Sequence, residues 1–285
     1  MIIVTGATGH LGRHVINGLL ERVPAERIVA VVRNPQKAAD LAERGVEVRR
    51  ADYNEPATLG PAFEGAEKIM FISASEVGKR IAQHRNIIEA AQKAAPALLV
   101  YTSLLFADSS DISLAPEHVA SELMLAESGL EHVVLRNGWY IENYTENLGA
   151  ALEHGALLGC AGDGRIAAAT RADYAAAAVA VLTSPGHAGK TYELAGDDSF
   201  SMQELAAAVS EHSGQKVVYN DIEPEAYRQT LATFGLPEPV VEMLVSADEA
   251  IKQGQLEHDG HALSELIGRP TTRLDEVLAA LFKAE

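Results

Sequence analysis

Three glycines, Gly6, Gly9 and Gly12, stand three residues apart directly after the apolar run Met1-Ile2-Ile3-Val4. Leu11, Val15, Leu19 and Leu20 then recur on one face of a helix. Strand, glycine-rich turn and helix together form the context in which such a motif binds a dinucleotide. Gly6 permits a tight turn, Gly9 lets the backbone approach a pyrophosphate, and Gly12 lets the helix pack close to the strand. The N–H groups at the start of that helix have no intrahelical partners and favour an anion, which brings in Ala7, Thr8, His10 and Leu11 beside the glycines. The spacing is G-x-x-G-x-x-G, so the match to the G-x-G-x-x-G form is not literal. Arg33 follows the next apolar run, where NAD-preferring folds place an acidic residue. A guanidinium there suits a 2′-phosphate and predicts NADP(H). Asp52 follows the third apolar run. It could accept a hydrogen bond from an adenine amine, or it could simply form an Asp-x-Asn turn. Ser73, Ala74 and Ser75 end the fourth run, and their small side chains would let backbone pass a ribose.

Further candidates lie at later strand ends. Thr102 and Ser103 end the fifth strand and could bond to substrate or ribose. Asn137, Gly138, Trp139 and Tyr140 follow the sixth. Tyr140 could stack on a flat ligand, whereas Trp139 reads better as structural. His118 has Glu122 one turn later, which is either a proton donor held by a carboxylate or a surface i,i+4 pair. Ten histidines and one cysteine show no metal-ligand spacing, and there is no G-x-S-x-G. No metal is expected.

The elements that must position these groups alternate along the chain. Strands are expected at 27–32, 46–50, 68–73, 97–103 and 132–136, with helices at 35–43, 79–95 and 116–128 between them. The strands are nearly continuously apolar, as in a parallel sheet covered on both faces. The fold class is therefore α/β, a Rossmann-like doubly wound parallel sheet with a smaller C-terminal lobe. Residues 1–136 form the nucleotide domain and 137–285 mainly the substrate lobe, with 165–195 returning to the main sheet. In the lobe, 138–161 reads as irregular with one short helix. An alanine-rich helix at 172–183 is followed by strands at 190–194 and 216–219. Helices are expected at 202–214, 225–234, 240–253 and about 272–284, the last capped by Thr271 or Thr272. Ligands of open α/β sheets bind at the carboxyl ends of strands, so the cleft between the two parts is the expected site.

Composition excludes several functions. The chain has 285 residues and a net charge of −17, which argues against nucleic acid or anionic membrane as partner. One cysteine cannot form an internal disulfide. No signal-peptide pattern and no apolar run of about 20 residues is present. Cytoplasmic residence is expected.

Beyond these features, the chain resembles the atypical short-chain dehydrogenase/reductases of the NmrA-like group. Within it the chain is similar to bacterial NAD(P)H:quinone oxidoreductases of the second type and, more distantly, to triphenylmethane reductases. The resemblance runs the length of the chain. It is carried by residues 5–12, Val31-Val32-Arg33-Asn34-Pro35, Ser73-Ala74-Ser75-Glu76-Val77-Gly78, Tyr101-Thr102-Ser103-Leu104-Leu105, Leu135-Arg136-Asn137-Gly138-Trp139-Tyr140 and Ala169-Thr170-Arg171-Ala172-Asp173-Tyr174. It implies an NADPH site at the first turn and Arg33, places Gly138 to Asn143 beside the nicotinamide, and brings in Arg171. A homodimer is compatible with it.

One departure matters. Catalytic members of the wider superfamily use Tyr-x-x-x-Lys, yet none of the eight tyrosines here has lysine four residues later. The strong acid that a ketone reduction needs is missing. A quinone needs less help, because hydride delivery yields a stabilised hydroquinone anion. The expectation is direct hydride transfer from NADPH to a quinone without flavin, with Tyr140, His118 or water as proton source. The alternatives are a noncatalytic NADP(H) sensor and a reductase of other conjugated electrophiles, such as triarylmethane dyes.

Overall fold

The computed structural model describes residues 1–283. They fall into two compact units. The first comprises 1–107, 116–137 and 171–193, and the second 108–115, 138–170 and 194 onward. The second unit therefore includes 108–115, which the sequence alone assigns to the first.

In chain order, β1 is Ile2–Val4, α1 is His10–Leu20 and β2 is Ile28–Val32. The helix expected at 35–43 opens as a 3-10 turn, Pro35–Ala38, whose start is capped by the Asn34 side chain accepting from the Gln36 N–H at 3.0 Å. It continues as α2, Ala39–Glu43. Then come β3 (Glu47–Arg50), α3 (Pro56–Ala62), β4 (Lys68–Phe71), α4 (Arg80–Ala94), β5 (Leu98–Leu104), α5 (Ala115–Glu127) and β6 (His132–Asn137). After α6 (Glu142–Thr145), α7 (Leu148–His154), β7 (Ala156–Gly159) and β8 (Arg165–Ile166), the chain returns as α8 (Arg171–Thr183) and β9 (Thr191–Leu194). It ends in β10 (Phe200–Ser201), α9 (Met202–Ser213), β11 (Val218–Asp221), α10 (Pro224–Thr233), α11 (Glu238–Lys252), α12 (Ala262–Ile267) and α13 (Leu274–Lys283).

The main sheet is parallel, in the order β3-β2-β1-β4-β5-β6-β9. Strand order reverses between β1 and β4, so a crevice opens beyond their carboxyl ends, where ligands of such sheets bind. The apolar strands are explained by cover on both faces. On one side Phe63, Phe71, Leu99 and Tyr101 join a core with Ile87 and Ile88 of α4. On the other, α1 lies so close to α8 that a Cβ at Gly18 would meet Val179 Cγ2 at 3.0 Å. The small residues of α8 allow that approach, and Ala175, Ala177 and Ala178 are all buried.

The second unit departs most from the sequence expectations. Residues 138–161 hold two short helices and a strand, not one helix. The last strand begins at Val218, not Lys216. The Val217 N–H donates to Ser210 Oγ at 2.8 Å and its carbonyl accepts from that hydroxyl at 2.9 Å, so the ladder to β7 starts one residue later. Helix α13 starts at Leu274. Thr271 is not its cap, because its hydroxyl accepts from the Asp197 N–H at 2.9 Å and its own N–H donates to the Asp197 carboxylate at 2.8 Å. The expected end of this helix at 284 lies outside the described residues.

One buried acid gives this unit a pH dependence. Asp248, on α11, is buried and accepts from the Cys160 N–H at 2.8 Å. Burial pushes its carboxyl up to about 6, the Cys160 hydrogen bonds oppose this, and Asp221 adds repulsion. The folded pKa lies above the unfolded value of about 3.9. Stability from this group is therefore full below about pH 4 and is lost as pH rises through 6. Asp248→Asn keeps a carbonyl for the Cys160 N–H and removes the charge. The melting temperature of the variant minus that of the parent should be larger at pH 8 than at pH 4, whatever constant offset the amide brings. Melts across that range check it, and a pH-independent difference would contradict it.

Candidate functional site

The turn after β1 is held by its own backbone. Gly6 has φ +61°, and the Gly9 N–H donates to the Gly6 carbonyl at 2.9 Å. A Cβ on Gly12 would lie 2.2 Å from that same carbonyl oxygen, so only glycine lets α1 start here. The start of α1 carries no side-chain cap and no acidic residue in its first turn. Its first N–H groups have no intrahelical partner, and the positive end of its dipole meets no acidic side chain in that turn.

A cavity of about 310 Å³ lies over this turn. Gly6, Thr8, Gly9, His10, Leu11 and Gly12 form one side. Arg33, Asp52, Ser73, Ala74 and Ser75 also line it. Ala7 does not, being buried with its N–H bonded to the Val31 carbonyl at 3.3 Å. Arg33 is exposed and lies 3.3 Å from Glu76, which also borders the cavity. Sequence reasoning missed Tyr53, Ile72, Glu76 and Gln83. Tyr53 and Glu76 directly follow residues already singled out, so strand-end position could have found them. Gln83 sits on α4, and no local pattern marks it.

The loop from 72 to 79, which forms the far wall, is clamped from behind. The Ala74 N–H donates to His84 Nε2 at 2.9 Å, and the Ala74 carbonyl accepts from Arg80 Nε at 2.9 Å. Arg80 Nη1 bonds Glu117 Oε2 at 2.9 Å, while Glu117 Oε1 accepts from the Gly78 and Arg80 N–H groups at 3.1 and 3.2 Å. His84 must keep Nε2 unprotonated to accept, so Nδ1 carries the proton toward Ser121 Oγ, 2.7 Å away. Burial, with help from Arg80 and His118, pushes its pKa down to about 2 and keeps it neutral.

The remaining candidates from the first unit do not line the cavity. Thr102 Oγ1 accepts from the Ser73 N–H at 2.9 Å and so holds the same loop. Ser103 Oγ donates to Glu122. The expected His118–Glu122 pair is not formed. Glu122 instead takes Arg136 Nε and Nη2 at 3.0 and 2.7 Å, and Arg136 Nη1 reaches Glu193 at 2.8 Å. His118 is buried with its Nδ1 2.8 Å from Tyr101 Oη, and burial, with Arg80, pushes its pKa to about 3. A histidine so placed is neutral near pH 7 and does not offer an imidazolium as proton donor. Asn137 is buried at the end of β6 with neither amide atom hydrogen-bonded. Arg171 opens α8.

Gly138, Trp139, Tyr140 and Asn143 belong to the second unit. The Gly138 N–H donates to the Leu194 carbonyl at 2.8 Å, and Tyr140 bridges in parallel to Ala169. Trp139 is largely buried and its carbonyl accepts from the Ala169 N–H at 3.1 Å, a structural role. Tyr140 is half-buried.

The Arg80–Glu117 pair is buried on both sides, with side-chain exposures of 5% and 12%. Removing one charge of such a pair costs about 3 kcal/mol or more, because the other is left uncompensated. Glu117→Gln should therefore lower the melting temperature by several degrees and loosen residues 74–80. Hydrogen exchange of the Ala74 and Gly78 amides reads the second effect, and unchanged protection there would argue against the clamp.

With this geometry in hand, similarity to known proteins becomes specific. The chain is 51% identical over 282 residues to quinone oxidoreductase 2 of Escherichia coli K12, covering 99% of each. The crystal structure of the E. coli NADPH-dependent quinone oxidoreductase 2 complexed with NADPH superposes with a TM-score of 0.96, covering 99% of this chain and all of that one. The triphenylmethane reductase of Citrobacter sp., solved with NADP(H), is 40% identical with a TM-score of 0.93 and covers 99% of this chain and all of its own. The chain matches the NmrA-like family over residues 1–277 and belongs to it.

Proposed function

We propose that this protein is a cytoplasmic NADPH-dependent quinone oxidoreductase that passes a hydride directly to its acceptor, without flavin. The observation that carries the reading is the cavity over the Gly6–Gly12 turn, with Arg33 at its border, in a chain half identical to the E. coli enzyme. The residues fit the nucleotide. The uncapped start of α1 offers N–H donors to a pyrophosphate, and the missing side chain at Gly12 brings them close. Arg33, 67% exposed and paired with Glu76 at 3.3 Å at the protein surface, can swing its fork of donors onto a 2′-phosphate.

When bound, NADPH supplies the hydride. The chain's part is to bind, orient and exclude competing reactions. The wall formed by Ser73 to Ser75, held by Thr102, His84 and Arg80, keeps the nucleotide's position fixed. Holding two reactants in register supplies most of the acceleration such a transfer needs. The acceptor becomes a delocalised hydroquinone anion, so a weak donor completes the reaction. With His118 neutral and committed to Tyr101, the proton comes from Tyr140 or water. Among the described residues no helix is long and apolar enough to cross a membrane. A homodimer is part of this reading.

Triarylmethane dyes are a second acceptor class, favoured by the 40% identity to the Citrobacter reductase. Such dyes are already cationic and need no proton at all when hydride arrives.

Three outcomes are expected. NADPH absorbance falls when benzoquinone is added to the purified protein, and adding flavin changes nothing. Tight nucleotide binding with no turnover of quinone or dye would favour a noncatalytic sensor instead. Arg33→Ala should cut the preference for NADPH over NADH by about tenfold or more, the worth of a charged hydrogen bond. For His118→Gln, the pH–rate profile between pH 5 and 9 should keep its shape.

A further inference from the structure

One polar atom at the cavity is satisfied by nothing in the protein. Gln83 lines the cavity, is 3% exposed, and its Oε1 has no hydrogen-bond partner. Leaving a buried acceptor unpaired costs roughly 1–3 kcal/mol. A donor from a bound molecule would remove that cost.

The direction of the Gln83 amide is set by a charge two links away. The carboxylate of Asp52 can only accept. Its Oδ1 takes the Asn54 backbone N–H at 2.9 Å and Asn54 Nδ2 at 3.2 Å. Asn54 must therefore turn its Oδ1 the other way, and there Gln83 Nε2 donates to it at 3.2 Å. Lys79, with help from the Gln83 amide, holds the Glu76 carboxyl below its usual range. The NH2 group of Gln83 is thus used by acceptors of the chain, and the oxygen is what remains. Reversing the amide would set oxygen against oxygen at Asn54.

We infer that Gln83 Oε1 accepts a hydrogen bond from the exocyclic amine of the nucleotide's adenine, and that Asp52 fixes the sense of this reading through Asn54. The inference rests on the nucleotide reading of the cavity given above. Around Gln83 the walls are Val32, Ala51, Ile72 and Ala74, apolar surfaces suited to a flat ring. A 6-amino purine then meets an acceptor. A 6-oxo purine would put a carbonyl oxygen against Gln83 Oε1 and leave both unpaired. The site should discriminate between the two bases, and it should do so at the level of binding.

The test compares dissociation constants for NADPH and its hypoxanthine analogue, read by dihydronicotinamide fluorescence without any acceptor. The parent protein should prefer NADPH by about tenfold or more, as expected for one well-placed hydrogen bond lost to an unpaired buried group. Gln83→Met, similar in shape but without the amide, should bring the two constants close together. Asp52→Asn should do the same, since an amide at 52 no longer dictates which way Asn54 and Gln83 point. Circular dichroism and melting curves establish that the variants fold. If Gln83→Met does not fold, Asn54→Leu takes its place, because it breaks the link to Gln83 and leaves the Asp52 carboxylate where it is. Equal affinities in the parent overturn the assignment of Gln83 while leaving the nucleotide site standing. Discrimination lost in Asp52→Asn but kept in Gln83→Met also overturns it, because Asp52 would then touch the base itself. Failure of both nucleotides to bind overturns the nucleotide reading and this inference together.

Discussion

The structure depends on how closely α1 can approach the turn that follows β1. No side chain fits at Gly12, where the helix backbone passes the Gly6 carbonyl. That contact fixes the helix relative to the central strand, and the helix in turn rests on α8 across Gly18. It also aims the unsatisfied N–H groups of the helix start at the crevice where strand order reverses. Packing and ligand chemistry thus share one cause. A larger residue at position 12 would disturb both, so the turn cannot be tuned for one without the other.

Much of the polar machinery around the cavity works from behind it. His84, Thr102, Arg80 and Glu117 all bind the backbone of the 72–79 segment. None of these four is among the residues lining the cavity. A loop on a protein surface tends to be mobile, yet a site needs a wall that stays in place. Burying an ion pair contributes little stability by itself, but it specifies one loop conformation against alternatives of similar energy. The neutral state of His84 belongs to the same arrangement, since a protonated ring could not accept from Ala74.

The missing Tyr-x-x-x-Lys pair shapes the chemistry as much as any residue present. Without a phenol acidified by an ammonium, reduction of an ordinary ketone would have to leave an unprotected alkoxide. Acceptors whose reduced form spreads its charge over a ring, or which start out cationic, avoid that problem. Two relatives of this chain carry such acceptors in their names, a quinone oxidoreductase and a triphenylmethane reductase. The loss of a strong acid and the choice of an easily reduced acceptor are two descriptions of one economy in the active site.

Sequence alone determined the strand–turn–helix at the start, the parallel sheet and the place of Arg33. These follow from short-range rules: apolar runs make buried strands, and glycine spacing makes a close turn. The same rules failed where tertiary partners decided. Ser210 satisfies the backbone of Val217 and delays β11, and Asp197 claims Thr271 before it can cap α13. His118 and Glu122 are one turn apart on a helix, yet the fold gives one to Tyr101 and the other to Arg136. Thr102 and Ser103 stand at the right strand end but spend their hydroxyls on a loop backbone and a carboxylate. Gln83 was invisible because its role comes from Asp52 through Asn54, residues brought to it only by the fold. Backbone conformation is encoded locally, whereas the partner a polar side chain takes is settled by whatever the completed fold places within 3 Å of it.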